Sequence, residues 1–580
     1  MWQQPIDPLS NLAWSTACAA LPIILLATLL LSRKVRGYTA SIVTLGAALL
    51  VAVVAYGMPA PLAALAALYG MTNGLLPIGW IVLNAIFLYN ISVASGSFAV
   101  VRDSIESITS DRRLQALLIA FCFGAFLEGA AGFGAPVAIT AGMLVGLGFE
   151  SLYAASICLL ANTAPVAFGG IGIAVITAGH LTNIDPNILS RMISHQLPFV
   201  ALIIPLWLIL IVSGWRGARE VWPAIVVTGV SYALTMYLTA SFLGPTLPDI
   251  LSSIVSLMCL IGLLHVWRPK NVWRFSHEPA MTAHVVAHNH SAIETARAWT
   301  PYALLIIFIA NWALPGPQSI LGHFTWAIPF GALDGAIIAN GAVITVKYSF
   351  VWLSATGTAI LFATICTALL QRISLYDFFR VAKETLRELR SPLVTITAIV
   401  GFAYVANYSG MSATLAAALS HTGYVFPFLA PFLGWLGVFL TGSDTSSNAL
   451  FSGVQQRTAQ SLGLNPVLTV AANTSGGVAA KMISPQSIAV AAASTKLTGR
   501  EGELFRRMIL HSIGIVSIIG VLTFLQAHAL SWMVPIAPNT ASAHATNVGV
   551  GDVIVAAVSI FALAAFVVLN RRTSEATPRR

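Results

Sequence analysis

Apolar runs of about 20 residues, each long enough to cross a bilayer core as a helix, alternate along the chain with short polar gaps. The first run, Leu12 to Leu31, ends in Ser32-Arg33-Lys34-Val35-Arg36, a length and flank that predict a retained first helix and no cleaved signal. Basic gaps carry Arg33/Lys34/Arg36, Arg102/Arg112/Arg113, Arg216/Arg219, Arg268 to Arg297, Arg372 to Arg390, Arg500/Arg506/Arg507 and Arg571 to Arg580. Between them lie turns without Lys or Arg: Gly57 to Pro61, Gly244 to Asp249, Pro315 to Phe330 and Gln526 to Asp552. Cytoplasmic loops retain Lys and Arg, so the alternation predicts an external N-terminus, a cytoplasmic C-terminus and an odd number of crossings. The expected class is an all-α polytopic membrane protein of about 13 spans.

Several runs are broken by Gly, Pro, Asn and Thr. Backbone that leaves helical geometry at membrane depth is tolerated only where protein buries it or where it lines a cavity. Four such stretches stand out: Glu128 to Pro136, Ala161 to Pro165 with Gly169-Gly170, Thr441 to Asn448, and Asn473 to Gly477. Small residues in them serve equally for close helix packing. They also repeat: Phe126-Leu127-Glu128-Gly129 matches Phe439-Leu440-Thr441-Gly442, and Ala161-Asn162-Thr163 matches Ala472-Asn473-Thr474. Two related halves are therefore expected, 1–267 and 300–580, joined by a cytoplasmic linker, 268–299. Transporters built from internal repeats place their substrate where paired interrupted helices face each other.

Composition removes other classes. The 580 residues are 57% hydrophobic and 8% charged, against roughly 25% charged in soluble chains, so lipid is the solvent. A net charge of +9 follows from basic residues beside apolar spans, which is the footprint of topology and not of nucleic acid. The cysteines, Cys18, Cys122, Cys158, Cys259 and Cys366, are odd in number and unclustered; they read as buried thiols, neither disulfides nor metal ligands. His277, His284, His288 and His290 lie in the central linker at spacings that fit no compact metal site. No serine has a His at a spacing that signals a dyad, so an enzyme is not expected.

All but five of the 29 lysines and arginines lie in polar gaps or at chain ends. Arg191 and Lys496 are expected to snorkel from span ends. Lys481 is the first candidate for a substrate carboxylate, with Arg457 and Lys347 as possible charge partners. Half-helix ends favour anions, which adds Asn162, Thr163, Ser443, Asn473, Thr474, Ser475 and Gly476 as substrate-binding candidates. Glu128 and Asp444 are the carboxylates inside broken segments. Such residues usually mark pathways or proton relays, and a capping or ion-pairing role is the alternative. Glu128, followed by Gly, Ala and Phe, suits accepting and releasing a proton. Asp444, among Ser443, Thr445, Ser446, Ser447 and Asn448, suits organising the site through their donors.

The strings Phe126 to Pro136, Val405-Ala406-Asn407-Tyr408-Ser409-Gly410, Gly442 to Phe451 and Lys481-Met482-Ile483-Ser484-Pro485-Gln486-Ser487 resemble the L-lactate permease family of bacterial inner-membrane carriers. The resemblance implies an inverted-repeat transporter with re-entrant hairpins, and proton symport of L-lactate, D-lactate, glycolate or related small 2-hydroxymonocarboxylates, with no cofactor beyond the coupling proton. Sodium coupling and an anion channel are the rival readings. Oligomeric state and the ranking of substrates stay open.

Overall fold

The computed structural model describes residues 1–31, 35–130, 132, 135–275, 290–313, 315–339, 342–497 and 500–535. Its helices form a bundle with the polarity of a soluble protein reversed. Leu202, Val226, Val230, Leu234, Leu510 and Val521 stand exposed on the outer surface, while Ser256, Thr228, Asn448, Gln455 and Asn473 are buried between helices. An apolar belt around a polar interior is what a bilayer selects, since lipid solvates leucine and cannot satisfy an amide.

Ten helices among the described residues are long and apolar enough to span, or eleven when Ser151–Ala161 and Val166–Thr182, bent by 64°, count as one. The expected 13 are not confirmed among the described residues, in part for a geometric reason. Arg112–Ala130 is wholly buried and turns back into Ala135–Gly146, a helix of about 18 Å that is too short to cross. The pair forms a re-entrant hairpin. Both its ends lie on one face, since the Arg112 guanidinium stands 5.9 Å from the Phe149 ring. The apolar run of 553–569 lies outside the described residues, as do Arg571 to Arg580.

The second half repeats the device upside down. Phe426–Thr441 and Asp444–Ser461 make a second hairpin whose tip, Gly442-Ser443, points toward the face that carries Arg36 and Tyr38. Its open end lies on the opposite face, where the Gln456 side chain donates to the Thr182 carbonyl. Each hairpin is followed by a broken helix: Ser151–Ala161 with Gly169–Thr182, and Pro466–Lys481 with Pro485–Ser494. These four elements make the middle of the protein.

The all-α expectation misses one feature. Residues 326–350 and the N-terminal Trp2–Gln3 form two small sheets, with Trp2–Gln3 parallel to Ile337–Ala339 and Trp326–Pro329 antiparallel to Lys347–Phe350. Their short, Gly-punctuated segments carry no alternation long enough to read as strands. The thiols also differ from expectation: Cys122 and Cys158 are buried, Cys18 and Cys366 are partly covered, and Cys259 is exposed on the outer surface.

Candidate functional site

The first hairpin positions Glu128. Its tip reverses through Gly132, whose φ of +61° suits a residue without a Cβ, and Glu128 lies in the last turn before that reversal, 4% exposed. Asn162, the cap that ends Ser151–Ala161, donates to Glu128 Oε2 at 2.9 Å. Gly169 leaves room for the carboxyl, since a Cβ there would stand 2.8 Å from Oε1. Gly170, Ile171 and Gly172 all take left-handed φ, so right-handed helix restarts only at Ile173. Ala131, Phe133 and Gly134 of the tip lie outside the described residues.

The second hairpin positions Asp444 and Lys481. The tip turns at Gly442, with φ of +71°, and Ser443 caps the following helix by accepting from the Ser446 N–H at 3.3 Å. Asp444 is the first residue of that helix, buried at 4% exposure. Lys481, at the end of Pro466–Lys481, is 6% exposed and donates from Nζ to the Gly442 carbonyl at 2.8 Å. It does not snorkel.

The donors expected around Asp444 do not reach it. Ser443 is used as the cap, Ser447 donates to the Gly434 carbonyl at 2.9 Å, and Asn448 donates to the Ala174 carbonyl and to Thr474 Oγ1. Neither Asp444 oxygen has a hydrogen-bond partner. What faces Asp444 is the positive charge of Lys481, close enough to act on it through space.

Glu128 and Asp444 line one cavity of about 60 Å³ between the two halves. The first half contributes Gly132, Gly169, Gly170 and Ala174 beside Glu128, and the second contributes Gly442, Ser443, Thr445, Lys481 and Gln486 beside Asp444. On a scale where one water needs about 10–15 Å³, the cavity has room for a very small solute. Three helix starts converge on it, at Ile173, Asp444 and Pro485, and helix N-termini favour anions. Their partial charges add to the ammonium of Lys481. Ser443 and Gln486 also line a larger cavity of about 630 Å³ with Arg36, Tyr38, Ser391 and Thr441, so these two side chains separate the site from one vestibule.

Not every predicted residue comes to the cavity. Asn473, Thr474, Ser475 and Gly476 were expected at a break, yet Pro466–Lys481 is continuous and its break falls at Met482 to Ser484. The small residues there serve packing. A Cβ on Gly476 would collide with the Pro431 carbonyl, and one on Gly434 with that of Asn473. Asn473 donates to Asn448 Oδ1 at 2.9 Å and accepts from Gln455 at 3.2 Å, so this network fixes the second hairpin to its broken helix and to the first half. Thr163 is buried beside Asn162, outside the cavity lining.

Arg457 lies toward the open end of the second hairpin, donating to Gln4 and to the Asn407 carbonyl at the end of Leu375–Ser409. Lys347 is exposed at the start of the strand Lys347–Phe350. Neither charge enters the site. His290 stands 3.5 Å from Asp103, while His277, His284 and His288 lie outside the described residues. Sequence reasoning missed Gln486, although it stands inside a quoted string, and Asp249, which reads as part of a loop.

The tip glycine gives a direct check. Gly442→Ala adds about 1–2 kcal/mol of left-handed strain and drives a methyl into the Gln486 side chain. Substrate transport by the variant is expected to fall at least tenfold with membrane insertion intact, measured by uptake into vesicles normalised to inserted protein.

The family model described as L-lactate permease matches residues 15–530. The L-lactate permease of Escherichia coli (strain K12) is 47% identical over 549 residues, covering 92% of this chain and 100% of that protein. The L-lactate permease of Bacillus subtilis (strain 168) is 49% identical over 563 residues, again covering 92% and 100%. The glycolate permease GlcA of Escherichia coli (strain K12) is 46% identical over 554 residues, covering 92% and 99%.

Proposed function

The chain belongs to the L-lactate permease family, and from that premise we propose that it takes up L-lactate, D-lactate and glycolate by symport with a proton. One observation carries the reading: a small buried cavity between two inverted hairpins holds one ammonium, from Lys481, and two carboxyls, from Glu128 and Asp444. Lys481 and the convergent helix starts suit a carboxylate. With all three side chains ionised the cavity is net negative by one charge, so it repels an anion. A proton on either carboxyl makes it neutral and admits the substrate, which ties anion entry to proton entry.

The membrane potential favours the same stoichiometry. One charge moved through the bilayer is worth about 2.3 kcal/mol per 100 mV, so an inside-negative cell opposes entry of lactate alone. A co-transported proton cancels that cost.

The positive-inside rule applied to the basic gaps supports a cytoplasmic Arg36 face in a bacterial inner membrane, with the small sheets outside. The 630 Å³ vestibule is then the cytoplasmic exit, with Arg36 at its mouth and Ser443 and Gln486 between it and the site.

Purified protein in vesicles acidic outside is expected to accumulate labelled L-lactate uphill, without sodium, and to lose that accumulation on adding a protonophore. Accumulation that follows sodium instead, or conductance without uphill accumulation, assigns the protein to a sodium-coupled carrier or an anion channel.

A further inference from the structure

We infer that Asp249 is a second proton-carrying carboxyl, through which protons reach Glu128 from the face opposite the basic gaps; the inference rests on the proton-symport reading. Asp249 is in the first turn of Pro248–Val266, directly after the turn of residues 244–247, and yet is 1% exposed. Its Oδ1 accepts from the Tyr232 hydroxyl at 3.4 Å, and its Oδ2 has no hydrogen-bond partner. A buried polar atom left without a partner costs about 1–3 kcal/mol, a cost that structural packing alone does not require.

The second observation is contact with the site. A Cβ on Gly129 would stand 2.8 Å from Asp249 Cβ and 3.0 Å from Ile250. Only glycine beside Glu128 lets the turn bearing Asp249 press against the hairpin this closely. Glu128 and Asp249 are near enough for their charges to interact. Two carboxylates so placed repel each other when both are ionised, so a proton arriving at one is shared by the pair.

The other titratable group facing Asp249 is Tyr232, from Trp222–Phe242; Cys122, from the first hairpin, lies further along, against Ser256 at 3.5 Å. No described Lys, Arg or His pairs with it, so no fixed cation holds Asp249 permanently ionised. The start of its helix favours the carboxylate once the proton has left.

The transfer conserves atoms and charge. A proton from water at the 244–247 turn binds Asp249 Oδ2. That O–H bond then breaks as one forms at a Glu128 oxygen, and Asp249 returns to carboxylate. Tyr232 keeps its proton and holds Oδ1. Protons thus enter beside the first hairpin, while substrate leaves beside the second.

The test compares wild type, Asp249→Asn and Asp249→Glu in vesicles, by pH-driven accumulation of L-lactate and by lactate counterflow at equal pH. Asp249→Asn is expected to lose at least about tenfold in accumulation, the low side of what a positioned proton donor contributes, with counterflow unchanged. Asp249→Glu is expected to restore accumulation. Wild-type accumulation in Asp249→Asn, or an equal loss in both assays, overturns the inference. Wild-type transport that ignores a protonophore overturns the symport premise first.

Discussion

Replacing Lys481 with Met is expected to reduce lactate uptake to background, a loss of about 100-fold or more. The amine does two things that a thioether cannot. It donates at 2.8 Å to the Gly442 carbonyl at the hairpin tip, and it is the one cation among the described residues lining the cavity with Asp444 and Glu128. A hydrogen bond from a charged donor contributes about 1.5–3 kcal/mol; at 1.4 kcal/mol per decade, losing the contact to a substrate carboxylate alone accounts for roughly a factor of 10 to 100. Its removal also leaves the buried Asp444 carboxyl without the positive charge that acts on it through space. Lys481→Arg is not expected to rescue, because a planar fork cannot replace the compact ammonium that Lys481 presents to the Gly442 carbonyl. A structural role alone would cost stability without touching affinity, so the decisive measurement is lactate-dependent thermal stabilisation of the purified protein. Wild-type stabilisation in Lys481→Met would remove Lys481 from the substrate site.

Much of this arrangement was legible because membrane sequences are constrained so tightly. Broken backbone at membrane depth is tolerated only where protein buries it or where it lines a cavity, so the broken stretches at Glu128-Gly129 and Gly442-Ser443-Asp444 point to the two segments that form the hairpin tips. The same constraint misled at Asn473 to Gly477. Glycines that break a helix and glycines that let helices touch have the same letters, and only the neighbour at Pro431 or Asn473 separates them. Lys347 was misplaced because a basic residue before an apolar run reads as a span end, whereas here it is exposed at the start of a strand. Asp249 stayed invisible for the opposite reason: next to Gly244-Pro245 and Pro248 it reads as loop, and its burial comes from the hairpin and Tyr232 packed over it.

Glu128→Gln and Asp444→Asn are expected to fail differently, although the residues share a cavity. Glu128 precedes its tip glycine and Asp444 follows its own, so the two are not symmetry mates. Glu128 has one neutral donor, Asn162, and lies next to the Gly129 contact with Asp249. Glutamine there imitates the protonated acid: it keeps a hydrogen bond to Asn162 after an amide flip and leaves the cavity neutral. Lactate should therefore still exchange across the membrane in counterflow, where no net proton moves, while pH-driven accumulation falls to background. Asp444 faces Lys481 with no hydrogen-bond donor of its own. Asparagine there removes the charge that balances Lys481 whenever the site is empty, so the occupied carrier holds its anion and resets slowly. Both assays should then fall together, by at least about tenfold, as for a buried pair deprived of one member. If Asp444→Asn keeps counterflow while Glu128→Gln keeps accumulation, the proton rides on Asp444 and the two assignments exchange places.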